Sequence, residues 1–408
     1  MERTSTNRWG LILLVLAQGV SVTGDMVLLT AASIAVFRAT DSATSVSLLL
    51  GLAAIPTVVL GPVGGTFADW FPRRRILVGA DLLATAGCLV ALGISETSST
   101  VVTAFIAVAL LAALGAFYRP AAQALLPSLS SPEQLGRANS ALRLATGLAS
   151  ILGPALAAFM IERRGLDFVL AADAATFLAS AVLVLFIRRI PARVHTGPRR
   201  NPFGDAWAGL DYSMKNPRIR TVTSAIGVVM LVGTLVNTGT LPLVSRALEL
   251  PESRYGTLLA IEGAGAMGLA VIFLTVGTGR RLLVTGAFAL IGTGATTLVL
   301  GAAEGFGVAA GAILFQGASV VGLQVAFSSY LQQEAVDAFR GRVMSLVGMV
   351  ASFAQLVGYA VAGPAIEWLG PRSAFMIAGI AVCLVAIPVV AIAFGAARAE
   401  RAERVASA

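Results

Sequence analysis

Apolar positions along the chain gather into long stretches separated by charged and turn-forming residues. Twelve stretches fall near 9–37, 45–67, 76–95, 100–118, 139–161, 168–187, 221–244, 255–276, 282–302, 306–329, 343–366 and 373–395. A helix needs about 20 apolar residues, at about 1.5 Å rise each, to cross a hydrocarbon core of about 30 Å. The pattern therefore predicts an all-α membrane protein with twelve transmembrane helices. The first stretch follows Arg3 and Arg8, but it is longer than a signal-peptide core and Asp25 interrupts it, so it reads as a retained helix.

The one long polar segment, 188–220, divides the chain six plus six: an N-terminal bundle over 1–187, a linker, a C-terminal bundle over 221–395 and a tail over 396–408. Within the linker, Phe203, Trp207, Leu210 and Met214 recur at helical spacing, which suits either a short amphipathic helix on the membrane surface or a partly ordered solvated linker. A weak repeat relates the halves. Shifted by 206 residues, Arg74-Arg75-Ile76-Leu77 falls on Arg280-Arg281-Leu282-Leu283, and Arg137 and Ser140 have rough counterparts in Arg342 and Ser345. Internal duplication of this kind is how many secondary transporters are built.

Composition agrees: 57% of residues are apolar and 12% charged, against about 25% charged in an ordinary soluble domain. Basic residues number 29 against 21 acidic, and all but Lys215 are Arg. They sit in short runs between apolar stretches and form no solvated basic domain, so nucleic acid is not an expected partner. With the N-terminus placed in the cytoplasm, 23 of the 29 fall on the cytoplasmic side, leaving Arg38, Arg163, Arg164, Arg246, Arg254 and Arg372 outside. This asymmetry predicts a multi-pass protein of the cell's inner membrane with both termini cytoplasmic.

The residue inventory excludes several chemistries. Lys215 lies between Met214 and Asn216, so there is no Walker A loop. One histidine, His195 in the linker, and two distant cysteines, Cys88 and Cys383, make no zinc or haem ligand set. No Gly-x-Ser-x-Gly elbow occurs. The expectation is a protein that is not an enzyme and that needs no metal or cofactor.

The segment after the second span runs from Gly61 through Gly65 and Asp69 to Arg73, Arg74 and Arg75. It resembles the loop signature of the major facilitator superfamily, Gly-x-x-x-Asp-Arg/Lys-x-Gly-Arg/Lys-Arg/Lys. Gly65, Asp69, Arg73 and Arg74 match, while Trp70 and Pro72 replace the expected basic residue and glycine. The resemblance implies a gating role for the matching residues. The fifth span carries Ser140, Ala149, Gly153, Pro154, Ala157 and Ala158, similar to the family's antiporter motif; an ordinary close-packed helix pair uses the same small residues. Added to these are Ala17-Gln18-Gly19, Ser21, Gly24 and Asp25, Pro56, Asp81, Pro120 and Pro127, Arg137-Ala138-Asn139-Ser140, and Gly209-Leu210 with Lys215-Asn216-Pro217. Together they resemble the macrolide-efflux and enterobactin-exporter branch of that superfamily. The branch implies proton-driven export of a bulky amphipathic compound (a drug, macrolide or siderophore) by a carrier that works as a monomer.

A charged side chain near the centre of a membrane helix costs about 2.5–3.5 kcal/mol on insertion scales, so the few inside spans are informative. Asp25 in the first span and Glu262 in the eighth are candidates to carry the coupling proton or attract a cationic substrate; hydrogen-bonding a helix break is the structural alternative. Asp81 and Arg143 are placed to form a structural ion pair, and Asp173 reads as structural. Gln18, Asn237, Gln316, Gln324 and Tyr359 are candidates to line a substrate path or to bond helix to helix. Arg119 falls just past the fourth span, which then lacks the mid-helix Arg that many proton antiporters of the family carry. Import or uniport of an organic solute, and a non-transporting sensor or scaffold, are the alternative functions.

Overall fold

The computed structural model describes residues 8–95, 97–131, 134–188, 210–276 and 282–406. Its elements are α1 (Arg8–Thr40), α2 (Ala43–Trp70), α3 (Arg73–Ser95) and α4 (Thr100–Leu129), then a continuous stretch Leu135–Leu185. After it come α7 (Pro217–Pro242), which runs into a π-helical turn at Leu243–Ala247, α8 (Ser253–Val276), α9 (Leu282–Ala302), α10 (Phe306–Glu334), α11 (Asp337–Leu369) and α12 (Pro371–Ala406). Helices satisfy their own backbone hydrogen bonds, and this makes them the form an apolar stretch adopts in lipid. Large apolar side chains such as Phe288, Phe353 and Leu384 stay exposed on the outer faces, as expected where the surrounding solvent is hydrocarbon.

Eleven of these helices are long and apolar enough to cross a membrane. The stretch Leu135–Leu185 has 51 residues, about 75 Å of helix if straight, more than twice the core thickness. It breaks at Gly165, whose φ of 75° and ψ of −176° lie in a region essentially restricted to glycine. The arms are α5 (135–164) and α6 (166–185). Gly153 of α5 packs on Thr23 and Met26 of α1, and Asp173 and Thr176 of α6 pack on Gly24 of α1. Both arms thus touch the same turn of α1, so the chain folds back at Gly165. Among the described residues the passes number twelve.

Two expectations about helix ends are corrected. The segment from Gly61 to Trp70 is no loop but the last turns of α2; helix stops only at Phe71, held extended (φ −108°, ψ 152°) by the proline that follows. Likewise, α4 continues past residue 118 to Leu129 with Pro120 and Pro127 inside it. Proline is tolerated in membrane helices where a neighbour accommodates the freed backbone. Here the carbonyl of Ala116, which Pro120 deprives of its helical donor, lies against Gly64 of α2, where a Cβ would collide with it.

The chain forms two compact units, Met1–Gly197 with Pro251–Ala260, and Pro198–Leu250 with Ile261–Ala408. The core of the first unit, near the α2–α3 turn, joins Leu14, Leu77, Tyr118, Leu125, Ala138 and Val184 from five helices. In the second, small residues again set the approach: Gly379 of α12 faces Gly294 of α9, and Gly317 of α10 faces the backbone of Glu262. Of the linker, residues 210–215 are helical, with Tyr212 stacked on Phe339 at 4.6 Å between centroids. His195, Phe203, Trp207, Gly209, Arg280 and Arg281 lie outside the described residues.

Gly165 and Gly370 (φ 77°, ψ 155°) both occupy glycine-only backbone conformations. Gly165→Ala and Gly370→Ala are each expected to destabilise the fold by about 1–3 kcal/mol. Gly79→Ala, within α3 and with nothing near its Cβ position, is expected not to. Thermal unfolding in detergent checks the contrast, and equal midpoints for all three would refute it.

Candidate functional site

The N-terminal unit encloses a cavity of about 530 Å³ lined by α1, α3, α4, α5 and α6. Its charged lining is two carboxylates, Asp25 and Asp81, and two guanidiniums, Arg119 and Arg143, with the Tyr118 phenol beside them. Gln18, Gln123 and Asn139 add amides, while Leu111, Leu142 and Phe177 supply apolar wall.

Asp25 is placed by its neighbours on α1. Gly24 leaves room for Asp173 and Thr176 of α6, and Gly153 of α5 sits against Met26. In this way the small residues of the antiporter-like motif bring α5 onto the turn that carries Asp25; Pro154, Ala157 and Ala158 are buried with Gly153. Arg119 reaches the cavity because α4 continues past it, and its charge acts on Asp25. The fourth helix therefore does carry an internal arginine, contrary to the sequence expectation.

No ion pair joins Asp81 to Arg143 among the described residues. Instead Asp81 Oδ2 accepts a hydrogen bond from Ser180 Oγ at 2.7 Å, and Ser180 Oγ lies 3.2 Å from the Tyr118 hydroxyl. The physical reason is proximity: α3 and α6 bring a short hydroxyl directly to the carboxylate, and the longer arginine lies elsewhere on the cavity wall. Asp173, read as structural, is buried, with Oδ1 accepting from Thr176 Oγ1 at 3.0 Å and Cys88 Sγ at 4.0 Å from Oδ2. Sequence reasoning missed Arg119, Tyr118 and Ser180. A signal was present for one of them: Asp173, Thr176 and Ser180 follow at three- and four-residue spacing, a polar stripe on an otherwise apolar helix.

The residues matching the loop signature have a concrete role in packing. Arg73 donates to the Ala124 carbonyl at 2.6 Å and to Ser128 Oγ at 3.1 Å, near the end of α4. Arg74 donates to the Val184 carbonyl at 3.2 Å and to that of Leu185, the last carbonyls of α6. Cations at helix C-termini satisfy orphan carbonyls and complement the helix dipole. Gly65 lies within α2, and Asp69 is exposed at its end.

The other candidates fall in the second unit. Glu262 lies in α8 and makes no side-chain hydrogen bond or ion pair among the described residues. Gln316 is buried and bonded to Thr296, and Tyr359 bonds to Asn237 and Gln355. Their polar groups are occupied in joining helices. Gln324 is exposed. Of the five uncharged candidates, Gln18 lines the cavity.

The family model of the Major Facilitator Superfamily matches residues 14–339. The chain is 25% identical over 386 residues to an uncharacterized MFS-type transporter, YfiS, of Bacillus subtilis (strain 168), covering 91% of this chain and 90% of the relative. It is 26% identical over 381 residues to the multidrug efflux pump Tap of Mycobacterium tuberculosis (strain ATCC 25618 / H37Rv), with coverage of 91% and 90%. It is 25% identical over 386 residues to macrolide efflux protein A of Streptococcus pyogenes, with coverage of 91% and 92%. Solved structures sharing the fold include the nucleoside transporter NupG, with a TM-score of 0.71 at 13% identity over 94% of this chain and 98% of that one. A bacterial homologue of the iron transporter ferroportin in its inward-facing state gives 0.69 at 17% identity over 93% and 98%.

The packing that places Asp25 is open to test. A Cβ on Gly24 would meet the Asp173 carboxylate and the Thr176 hydroxyl, whereas one on Gly19 would make an ordinary 3.5 Å contact with Ala145. Gly24→Ala is expected to cost about 1–3 kcal/mol by overpacking, and Gly19→Ala to leave the thermal midpoint near that of the parent. A Gly24→Ala protein as stable as the parent would show that α1 and α6 do not approach as described.

Proposed function

The chain belongs to the major facilitator superfamily, and from that premise we propose that it exports a bulky amphipathic compound in exchange for protons. The observation that carries this reading is the cavity of the N-terminal unit, in which Asp25 faces Arg119 among apolar and amide side chains. Its volume, about 530 Å³, lies within the roughly 300–1,000 Å³ of sites for drug-sized ligands. Apolar walls with a few amides select by shape and amphipathicity, which suits a drug, macrolide or siderophore. The efflux pumps among the relatives support the outward direction.

Exchange follows from charge. A carboxylate in this setting needs compensation, and a proton, a cationic substrate group or the Arg119 guanidinium each supplies it. A proton arriving at Asp25 displaces a cationic substrate or frees Arg119, and its departure restores the binding form. One charge satisfied by alternative partners is a coupling device, since each ligand biases the state that the other opposes. Glu262 is the corresponding candidate of the second unit. Arg73 and Arg74, fastened to the ends of α4 and α6, make the start of α3 move with those helices. Gly65 and Asp69 complete the gate, and the Gly153 motif keeps α5 tight on α1. The protein works as a monomer in the inner membrane, with both termini in the cytoplasm.

Proteoliposomes loaded with a pH indicator and challenged with erythromycin, tetraphenylphosphonium or a catecholate siderophore test the proposal. Wild-type protein is expected to move protons when a substrate is added; Asp25→Asn abolishes this flux and Glu262→Gln weakens it. Coupled flux that survives both substitutions would discard the assignment. Accumulation in inside-out and not right-side-out vesicles is the expected direction, and the reverse would make the protein an importer.

A further inference from the structure

We propose that Asp81 is a second proton-carrying group of the same cavity, its carboxylate positioned by Ser180 and Tyr118. This deepens the coupled-export reading and rests on it. The argument begins with a contrast between two buried aspartates, each 1% exposed. Asp173 has both oxygens engaged, Oδ1 by Thr176 of its own helix and Oδ2 by Cys88 of α3, as a carboxylate built into the packing should. Asp81 has one. Oδ2 takes the Ser180 hydrogen bond, while Oδ1 is buried with no hydrogen-bond partner among the described residues, and Asp81 lines the cavity with Asp25. Buried polar atoms are nearly always bonded, so an orphan oxygen on a residue of the cavity wall calls for a further partner, and a proton is one that fits.

The hydrogen-bond geometry suits a proton at that position. Ser180 has one hydroxyl proton and donates it to Oδ2, with its lone pairs turned toward Tyr118 3.2 Å away. When Oδ1 is protonated, Oδ2 becomes a carbonyl oxygen and still accepts from Ser180. When the proton leaves, Oδ2 carries part of the charge and accepts the same bond. The carboxyl therefore changes charge without rearranging its support. The proton comes from hydronium in the cavity on the face open to acid and returns to water on the other; no other bond forms or breaks.

The charged and titratable groups facing Asp81 are Asp25 from α1, Tyr118 and Arg119 from α4, and Arg143 from α5. The charge of Asp25 acts on Asp173 of α6, and α2 contributes no lining residue. Two carboxylates against two guanidiniums leave the ionised cavity neutral in formal charge, and each proton taken up adds one positive charge that opposes a cationic ligand.

The experiment counts protons moved per substrate, using tetraphenylphosphonium and erythromycin with full-length protein in proteoliposomes, and records transport against pH. Asp81→Asn is expected to lower the count by one proton and flatten the pH profile. Asp173→Asn is expected to lower the thermal midpoint but keep the wild-type count. An unchanged count in Asp81→Asn overturns the inference, as does an equal fall in Asp173→Asn. Should Asp81→Asn not fold, Ser180→Ala decides: a moved midpoint with unchanged steepness supports the positioning role, and an unmoved midpoint overturns it. No substrate-driven proton movement in the wild type would instead sink the coupled-export reading itself.

Discussion

In hydrocarbon the approach of one helix to another is limited by side-chain bulk, and on α1 that limit is lifted at the turn that carries the buried charge. Gly24 admits α6 and Gly153 admits α5, so that both arms of one hairpin close on the residues flanking Asp25. The hairpin exists because Gly165 adopts a backbone conformation closed to other residues. Without these contacts the helices would stand further apart, and Asp25, Asp81 and Arg119 would not share a wall. Packing and electrostatics are therefore one feature: close approach holds together charges that the apolar surroundings would otherwise disfavour.

The fold was legible in the sequence because its cause is simple. Long apolar stretches leave no alternative to helices in lipid, and the twelve passes follow the twelve stretches closely. What misled was charge. Arg119 closed the fourth apolar stretch, yet α4 runs on to Leu129 with Pro120 inside it, and Gly64 of α2 leaves room for the carbonyl that Pro120 frees. Arg119 thus moved from a loop into the cavity, and the coupling candidate of the first span acquired a charged counterpart that position along the chain did not disclose.

The site was legible only in part. Asp25 stood out by depth within its stretch, a one-dimensional property that sequence displays. The partners of Asp81 did not, because Ser180 lies 99 positions away and short hydroxyls are common in apolar helices. An ion pair with Arg143 was the natural guess from charge alone. Neighbouring helices decided otherwise, and such proximity depends on which faces of α3 and α6 meet. For the same reason Gln316 and Tyr359, equally polar in the sequence, join helices to one another.

Arg73 and Arg74 fasten α3 to α4 and α6 largely through main-chain oxygens, those of Ala124, Val184 and Leu185. Every residue type offers that oxygen, so the acceptor positions are free to drift while the arginines are not. Contacts of this kind leave no paired substitutions behind, and covariation between columns of related sequences would pass over them. Trp70 and Pro72, standing where the wider signature has a basic residue and a glycine, precede the joint, which is made by the two arginine side chains and the peptide backbone.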